Sequence, residues 1–439
     1  MRSMTEGATR EWRSNWTLVL ASAVGFSFFS VMLAATGLFI EPLGEEFGWS
    51  RTLVSSGPSV ATITTALLSP LVGLLIDKYG TRRIALPGIA LTMASIAAFS
   101  LTSGAALQWL LLWCFFGVVS ATIKSTAWTA AVVGSFQRSR GLALGFTLAG
   151  TALSQTLVPP MGNWLISSFG WRSAFLILAL GWGGLTFLIC ALFFHDQRAR
   201  RQAGARGGAS GKEDLAEAPG LTPREALVNS ALWRLGISSF VVMLLTIGLG
   251  IHLIPILTEA GVSRSNAAWL ASLAGAAGLA GKLITGVLLD RFQPNWTGGL
   301  TLGAAAFAFL LLMENLRSPG LIMVAMLING YAAGTKMQIT GFLASRYAGM
   351  KAFGTIYGVL AAVLALASGL GPTFAGLIYD FAGGYEPFLA IGAGGCILGG
   401  VLIASLPAYP SWEKPDADEP VAPRAAEHDP VPGGSAAGV

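Results

Sequence analysis

The sequence predicts an all-α membrane protein with twelve transmembrane helices in two pseudo-symmetric six-helix bundles. Three observations lead to this fold class: the composition, a series of long apolar stretches, and an internal repeat. Of the 439 residues, 54% are hydrophobic and only 11% are charged, whereas about 25% of the residues of a typical soluble domain are charged. We therefore expect this chain to be embedded in a lipid bilayer.

The apolar stretches have the length that crosses a bilayer as a helix, roughly 20 residues. The twelve expected spans are 16–39, 52–76, 84–101, 108–133, 141–168, 173–194, 232–257, 266–289, 296–316, 321–346, 353–379 and 388–406. They divide the chain into a cytoplasmic N-terminus (1–15), an N-terminal six-helix bundle (16–194), a cytoplasmic linker (195–231), a C-terminal six-helix bundle (232–406) and a disordered cytoplasmic tail (407–439). The tail is rich in Pro, Ala, Gly and acids, which is typical of disorder.

The basic residues orient the chain in the membrane. With both termini in the cytoplasm, twenty Lys and Arg residues lie in inner segments, four in outer loops and three within spans, which accounts for all 27. This asymmetry is the one that the positive-inside rule describes. The sequence thus predicts a multi-pass protein of a bacterial inner membrane with both termini cytoplasmic. The basic balance reflects insertion, and we expect no nucleic-acid partner.

An offset of 213 residues relates the two halves of the chain. Arg51 and Arg264 stand at the start of spans 2 and 8, and Asp77 and Asp290 stand at the ends of the same spans. Two repeats related in this way place a substrate site at their interface, near the middle of the bilayer.

Three lysines lie deep inside spans where no acid stands at the same depth. They are Lys124, Lys282 and Lys336, and the first and last correspond in the repeat with an offset of 212. An unpaired cation is costly in lipid, so it normally faces a partner, a watery cavity or a substrate. The three lysines therefore predict a binding pocket for a small organic anion. The alternative for each is that its ammonium group reaches along the helix to the membrane interface.

Aromatic and amide side chains near the lysines are expected to line the same pocket. Trp128 lies one helical turn from Lys124 and shares its face. Tyr331 and Gln338 flank Lys336 in the sequence. For Trp128 and Tyr331, packing in the protein core is the alternative, and the sequence leaves it open.

A short motif between spans 2 and 3 carries a family resemblance. Residues 73–83, GLLIDKYGTRR, resemble the G-x-x-x-D-R/K-x-G-R-R/K signature of the major facilitator superfamily, and residues 286–291, GVLLDR, resemble its degenerate repeat. The resemblance covers residues 16–406. In that family the charges of this loop hold the inner gate closed, which implies gating roles for Asp77, Arg82, Arg83, Asp290 and Arg291. The alternative is that these charges only anchor the topology.

Within the superfamily, a second segment is similar to monocarboxylate transporters. Residues 136–150, FQRSRGLALGFTLAG, resemble the segment that enters span 5 of those proteins, and residues 47–51 and 371–380 are similar to their bacterial relatives and to oxalate/formate exchangers. These families bind the substrate carboxylate with an Arg in span 8, and Lys282 occupies that position. The resemblance therefore implies carboxylate binding through a point charge, where arginine makes a two-pronged fork.

The proton carrier is an open question in the sequence. Animal monocarboxylate transporters place an Asp one turn before the span-8 Arg, and Gly278 stands at that position here. The remaining candidates are a buried lysine, the substrate itself, and His252 near the outer end of span 7. Exchange of one anion for another is the alternative to proton symport.

The expected function is secondary active transport of small organic anions, namely aliphatic or aromatic monocarboxylates, by a monomer that alternates access to the two sides. A drug or metabolite efflux antiporter of the same fold is the first alternative, although three lysines would repel a cationic drug. A substrate sensor without transport is the second, and it would need a folded cytoplasmic domain. We expect no enzyme activity, cofactor or metal, because the sequence has no metal-ligand cluster, no nucleophile with a base and no phosphate loop.

Overall fold

A computed structural model describes residues 2–136, 140–195, 220–349 and 351–410. Most of the predicted linker and tail lies outside these ranges. The N-terminal half (2–195) contains α1 Arg2–Phe47, α2 Arg51–Tyr79, α3 Thr81–Ala98, α4 Ala106–Ser120, α5 Ser125–Ser135, α6 Arg140–Ile177 and α7 Gly184–Phe193. The C-terminal half (220–410) contains α8 Pro223–Val228, α9 Ser230–Glu259, α10 Arg264–Arg291, α11 Pro294–Leu310, α12 Pro319–Ala348, α13 Phe353–Ala382 and α14 Glu386–Ala404.

Helices occupy all twelve of the predicted spans. The fourth span is divided between α4 and α5, and α6 runs through the fifth span into the sixth. Inside α6, Gly170 has φ 77° and ψ 162°, a conformation open to glycine, and the chain bends there between the two predicted spans. Among the residues that the structure describes, eight segments are long and apolar enough to cross a membrane, and the one at Leu142–Phe193 contains two predicted spans.

The internal repeat is visible where helices begin. Ser50 precedes α2 and its hydroxyl accepts a hydrogen bond from the Leu53 N–H at 3.2 Å. Ser263, offset by 213 residues, precedes α10 and accepts in the same way from Asn266 at 3.3 Å. A serine at this position satisfies one of the unpaired N–H groups at the start of a helix.

The two halves meet along three pairs of helices, which are α1 with α9, α2 with α13, and α6 with α10. Glycines allow the close approach. A Cβ on Gly37 would lie 2.5 Å from the Ile251 carbonyl oxygen, and one on Gly275 would lie 2.6 Å from the Gln155 backbone. Following the predicted topology, we call the end of the molecule that carries Arg51 the outer end and the end that carries the termini the inner end.

Candidate functional site

A small cavity lies between the two halves. Its volume is about 120 Å³, and α1 and α6 of one half and α9, α10 and α12 of the other contribute to its wall. The polar lining residues are Gln155, Thr246, Asn329 and Lys336. Most of the remaining wall is aliphatic, and none of the lining residues is acidic. The cavity wall therefore combines one cationic side chain and three neutral polar side chains with an otherwise mostly aliphatic lining.

Lys336 is the predicted site residue that lines this cavity. Its side chain is almost completely buried, with 7% of the residue exposed. The ammonium group donates a hydrogen bond to the Thr246 hydroxyl at 2.7 Å. An ammonium group has three N–H donors, so donors remain for a ligand in the cavity.

Lys282 lies on the inner approach to the cavity and is not part of its wall. It follows Gly275, which lines the cavity, by two helical turns on the same face of α10. Its ammonium group faces the Thr151 hydroxyl of the opposite half at 3.5 Å. Thr151 is one turn on the inner side of Gln155 in α6, so Lys282 occupies the same seam between the halves.

The structure corrects the prediction for Lys124 and Trp128. A 3₁₀ turn, Ala121–Ile123, interrupts the predicted span, and Lys124 has an extended backbone (φ −68°, ψ 171°) just before α5. The two side chains therefore do not share a helical face. Lys124 donates to the Ser69 hydroxyl at 3.3 Å within the N-terminal half. Trp128 is fully buried, and its indole N–H donates to the Ile123 carbonyl at 2.7 Å.

Trp128 belongs to the packed core and does not line the cavity. Its ring fills the space beside Gly25 of α1 and makes an edge contact with Phe194 at a centroid distance of 5.0 Å. The expectation that Trp128 lines an anion pocket is therefore wrong for this structure, because the break at Lys124 rotates the indole into the N-terminal half.

Tyr331 and Gln338 also lie away from the cavity wall. The Tyr331 hydroxyl shares a hydrogen bond with the Thr285 hydroxyl at 2.8 Å, which joins α12 to α10. Gln338 is exposed and stands about 200° around the helix from Lys336. The expectation that these two side chains line the pocket with Lys336 is therefore wrong for this structure.

The gating motif lies at the inner end. Arg82 donates to the Ala191 carbonyl at 2.7 Å within the N-terminal half, and Arg82, Arg83 and Arg291 are exposed. The side chains of Asp77 and Asp290 lie outside the described part of the structure.

A cluster around Arg51 joins the two halves at the outer end of the molecule. The guanidinium donates to the Tyr385 hydroxyl at 2.7 Å, stacks over the Tyr379 ring at 3.8 Å and lies 3.9 Å from the Glu259 carboxylate. The Asp380 carboxylate accepts from the backbone N–H of Arg51 at 3.2 Å and of Thr52 at 2.9 Å. We call the five side chains of Arg51, Glu259, Tyr379, Asp380 and Tyr385 the outer gate.

His252 is buried directly beneath the outer gate. Its Nδ1 atom lies 2.7 Å from the Tyr385 hydroxyl, and its Nε2 atom lies 3.0 Å from the Pro372 carbonyl oxygen. Because a carbonyl oxygen can only accept, Nε2 carries a hydrogen and donates to it. Burial raises the pKa of the Tyr385 phenol, so the hydroxyl keeps its proton and donates it to Nδ1. The geometry therefore corresponds to a neutral imidazole.

The chain matches the Major Facilitator Superfamily over residues 20–257 and 235–433. It belongs to that superfamily. An MFS-type transporter of Gibberella moniliformis is 26% identical over 401 residues, which cover 85% of this chain and 88% of the relative. Monocarboxylate transporter 13 of Bos taurus is 24% identical over 418 residues, or 91% of each chain. Monocarboxylate transporter 3 of Rattus norvegicus is 25% identical over 406 residues, which cover 89% of this chain and 79% of the relative.

Solved structures of the superfamily have the same fold. The D-xylose-proton symporter superposes with a TM-score of 0.70 at 14% identity, and covers 91% of this chain and 99% of its own. A bacterial homolog of the human lysosomal transporter Spinster, in an inward-facing and unoccupied conformation, superposes with a TM-score of 0.62 at 19% identity. The superposition covers 89% of this chain and 93% of that structure. At these identities the likeness concerns the fold alone. This superfamily transporter is thus a multi-pass membrane protein and not an enzyme.

Sequence reasoning missed several residues of the cavity and of the outer gate. Asn329 lines the cavity and precedes Lys336 by seven residues, or two turns on the same face of α12, so this spacing could have identified it. Gln155 is a polar residue inside a predicted span, which is a weaker signal. The partners of Arg51 are separated from it by more than 200 residues, and nothing in the sequence pairs them.

Proposed function

We propose that this transporter carries small organic anions, namely aliphatic or aromatic monocarboxylates, across the membrane by alternating access. The single observation behind the proposal is Lys336, a buried cation at the wall of the cavity between the halves, whose described hydrogen-bond partner is a neutral hydroxyl. Burying an uncompensated charge is costly, and a bound carboxylate would remove that cost. Several relatives of this chain are named monocarboxylate transporters, which is consistent with the proposal.

The shape and polarity of the cavity favour a small amphipathic acid. Ligand pockets for drug-sized molecules usually measure roughly 300–1,000 Å³, and this cavity has about 120 Å³. A carboxylate could bind Lys336 with help from the amides of Gln155 and Asn329. The hydrocarbon part would then contact the aliphatic wall that includes Leu33 and Ile247.

The closed outer gate gives the proposed direction of access in this conformation. The described hydrogen bonds between the halves extend from Arg51 at the outer end to Lys282 and Thr151 below the cavity. We propose that the substrate reaches the cavity from the inner end past Lys282. In the opposite conformation, the charged motif with Asp77, Arg82, Arg83, Asp290 and Arg291 would close the inner end. Proton symport and anion exchange are both compatible with this cycle. We propose that the transporter lies in a bacterial inner membrane with both termini in the cytoplasm.

Binding measurements on Lys336 variants test the proposal. Charge-assisted hydrogen bonds contribute roughly 1.5–3 kcal/mol. Lys336→Gln should therefore weaken the binding of the carboxylate that the unmodified transporter prefers by about tenfold or more. Lys336→Arg should retain part of the affinity because it keeps the charge. Lys351→Gln, which removes an exposed lysine at the inner end, is the matched control and should leave affinity unchanged. The measurement is calorimetry with a panel of carboxylates, together with uptake of the labelled acids into proteoliposomes.

Two results would contradict the proposal. One is carboxylate binding and uptake by Lys336→Gln at the level of the unmodified protein. The other is transport of organic cations in place of anions, which would favour an efflux antiporter. Loss of binding in all variants, including Lys351→Gln, would show misfolding, so each variant is first checked for a single monodisperse peak in detergent.

A further inference from the structure

The outer gate is held by a chain of hydrogen bonds that has one direction. The Arg51 guanidinium donates to the Tyr385 oxygen, the Tyr385 hydroxyl donates to Nδ1 of His252, and Nε2 of His252 donates to the Pro372 carbonyl. Each donor has one acceptor, and each acceptor has a lone pair for it. This order requires His252 to be neutral, because Nδ1 must accept.

The charges around His252 also favour the neutral ring. Arg51 on α2 shares the Tyr385 oxygen with His252. The carboxylates of the outer gate are those of Asp380 at the end of α13 and Glu259 at the end of α9. Asp380 accepts from two backbone N–H groups, and Glu259 faces Arg51. Tyr379 stacks on the same guanidinium. Thus the described carboxylates of the gate are engaged elsewhere, and a charge on His252 would meet Arg51 first.

We propose that His252 is a proton-binding site that opens the outer gate. A proton on Nδ1 turns this atom from an acceptor into a donor, so Tyr385 can no longer donate to it. It also places a second positive charge within two hydrogen bonds of Arg51, and like charges at this separation repel strongly where water is excluded. Both effects weaken the hydrogen bond between Arg51 and Tyr385, which is one of the contacts that join α2 to the C-terminal half.

The sign of the linkage follows from burial. His252 is fully buried when the gate is closed, so it exchanges protons with the outside when the gate is open. Protonation therefore favours the open gate, and the gate should open as the outside pH falls through the range in which imidazoles titrate, roughly pH 8 to 5. This inference goes beyond the proposed function, since it holds for any substrate and concerns the coupling ion.

Spin-label distance measurements across the outer end test the inference without substrate. After Cys114, Cys190 and Cys396 are replaced by Ala, labels are attached at Ala105→Cys and Asn315→Cys, two exposed outer positions in opposite halves. Between pH 8 and pH 5, the ratio of the long-distance to the short-distance population should rise about tenfold. His252→Gln should abolish this pH response. Tyr385→Phe should increase the open population at both pH values, because Arg51 loses its acceptor.

His195→Gln is the matched control. His195 lies at the inner end and contacts the Phe193 carbonyl at 3.0 Å, so its removal should leave the response intact. Glu259→Gln tests whether a carboxylate of the gate causes the response. Three results would overturn the inference: no pH response in the unmodified gate, an unchanged response in His252→Gln, or a response abolished by Glu259→Gln alone. Since no anion is present, the outcome is independent of the Lys336 experiments.

Discussion

Burying a lysine side chain inside a membrane protein removes water from its ammonium group, and the unfavourable free energy of this desolvation must be offset by other interactions. Lys124, Lys282 and Lys336 all face a neutral Ser or Thr hydroxyl at 3.3, 3.5 and 2.7 Å. A neutral hydroxyl can accept a hydrogen bond from the ammonium group, but it carries no negative charge and leaves the positive charge uncompensated. The three lysines differ in location, because Lys336 lines the cavity, Lys282 lies on its inner approach, and Lys124 lies within the N-terminal half. We therefore expect them to differ in their contribution to transport.

Lys282 should affect uptake more through its charge than through its contact with Thr151. The 3.5 Å separation is long for a hydrogen bond, so the contact itself contributes little. Removing the charge in Lys282→Gln should raise the KM for carboxylate uptake about tenfold, equivalent to roughly 1.4 kcal/mol. Lys282→Arg should retain most of the activity. Thr151→Val, which removes only the neutral partner, is the control, and an equal loss in Thr151→Val and Lys282→Gln would contradict a role for the charge.

Sequence reasoning reached Lys336 but misplaced Trp128, and the reason is local. Lys336 could be found because α12 is continuous, so a charged residue in its middle must lie deep in the membrane. The same argument failed for Trp128 because the chain leaves the helix at Lys124. The turn at Ala121–Ile123 is stabilised by contacts with α3, where Gly88 makes room for the Thr122 side chain. A contact between residues more than 30 positions apart cannot be read from a helical periodicity.

At the scale of elements, the site depends on the close packing of α10 against α12. Gly330 and Gly334 of α12 face the backbone of α10. A Cβ at either position would lie only 2.1 Å from a carbonyl oxygen, that of Ala274 or of Gly278. Small residues allow membrane helices to approach in this way. This packing fixes the relative position of the helices that carry Lys282 and Lys336.

Gly334→Ala should destabilise the transporter although alanine is the better helix former. The carbonyl of Gly278 belongs to a helix backbone and cannot move without displacing α10, and overpacking of this kind costs typically about 1–3 kcal/mol. The expected result is a fall of several degrees in the apparent melting temperature in detergent. Gly320→Ala in the first turn of α12, where nothing lies within 4 Å of the new Cβ, should show no fall. Equal melting temperatures for the two variants would contradict the packing argument.

At the scale of the whole molecule, the four outer arginines have two kinds of role. Arg172 pairs with Glu46 at 2.7 Å and Arg317 with Glu386 at 3.2 Å, each within one half. Arg51 and Arg264 instead reach across the halves, and Arg264 donates to the Leu38 carbonyl. The sequence predicted that all four arginines lie in outer loops. It did not predict which of them join the two halves. That distinction depends on partners distant in sequence and on the conformation that the molecule adopts.

Asp380 should shift the balance between conformations, since it caps the start of α2 from the opposite half. Loss of a capping carboxylate costs about 0.5–2 kcal/mol, so Asp380→Ala should raise the ratio of outward-open to outward-closed molecules roughly 2- to 30-fold. In a background without native cysteines, Ala34→Cys places a thiol at the cavity wall. In Asp380→Ala, a membrane-impermeant thiol reagent added from outside should label this cysteine faster, in proportion to the increase in outward-open molecules. Glu46→Ala breaks an outer ion pair that lies within one half, and it should leave the labelling rate unchanged. If both substitutions accelerated labelling equally, the effect would come from general loosening of the outer end, and Asp380 would have no specific role in holding the halves together.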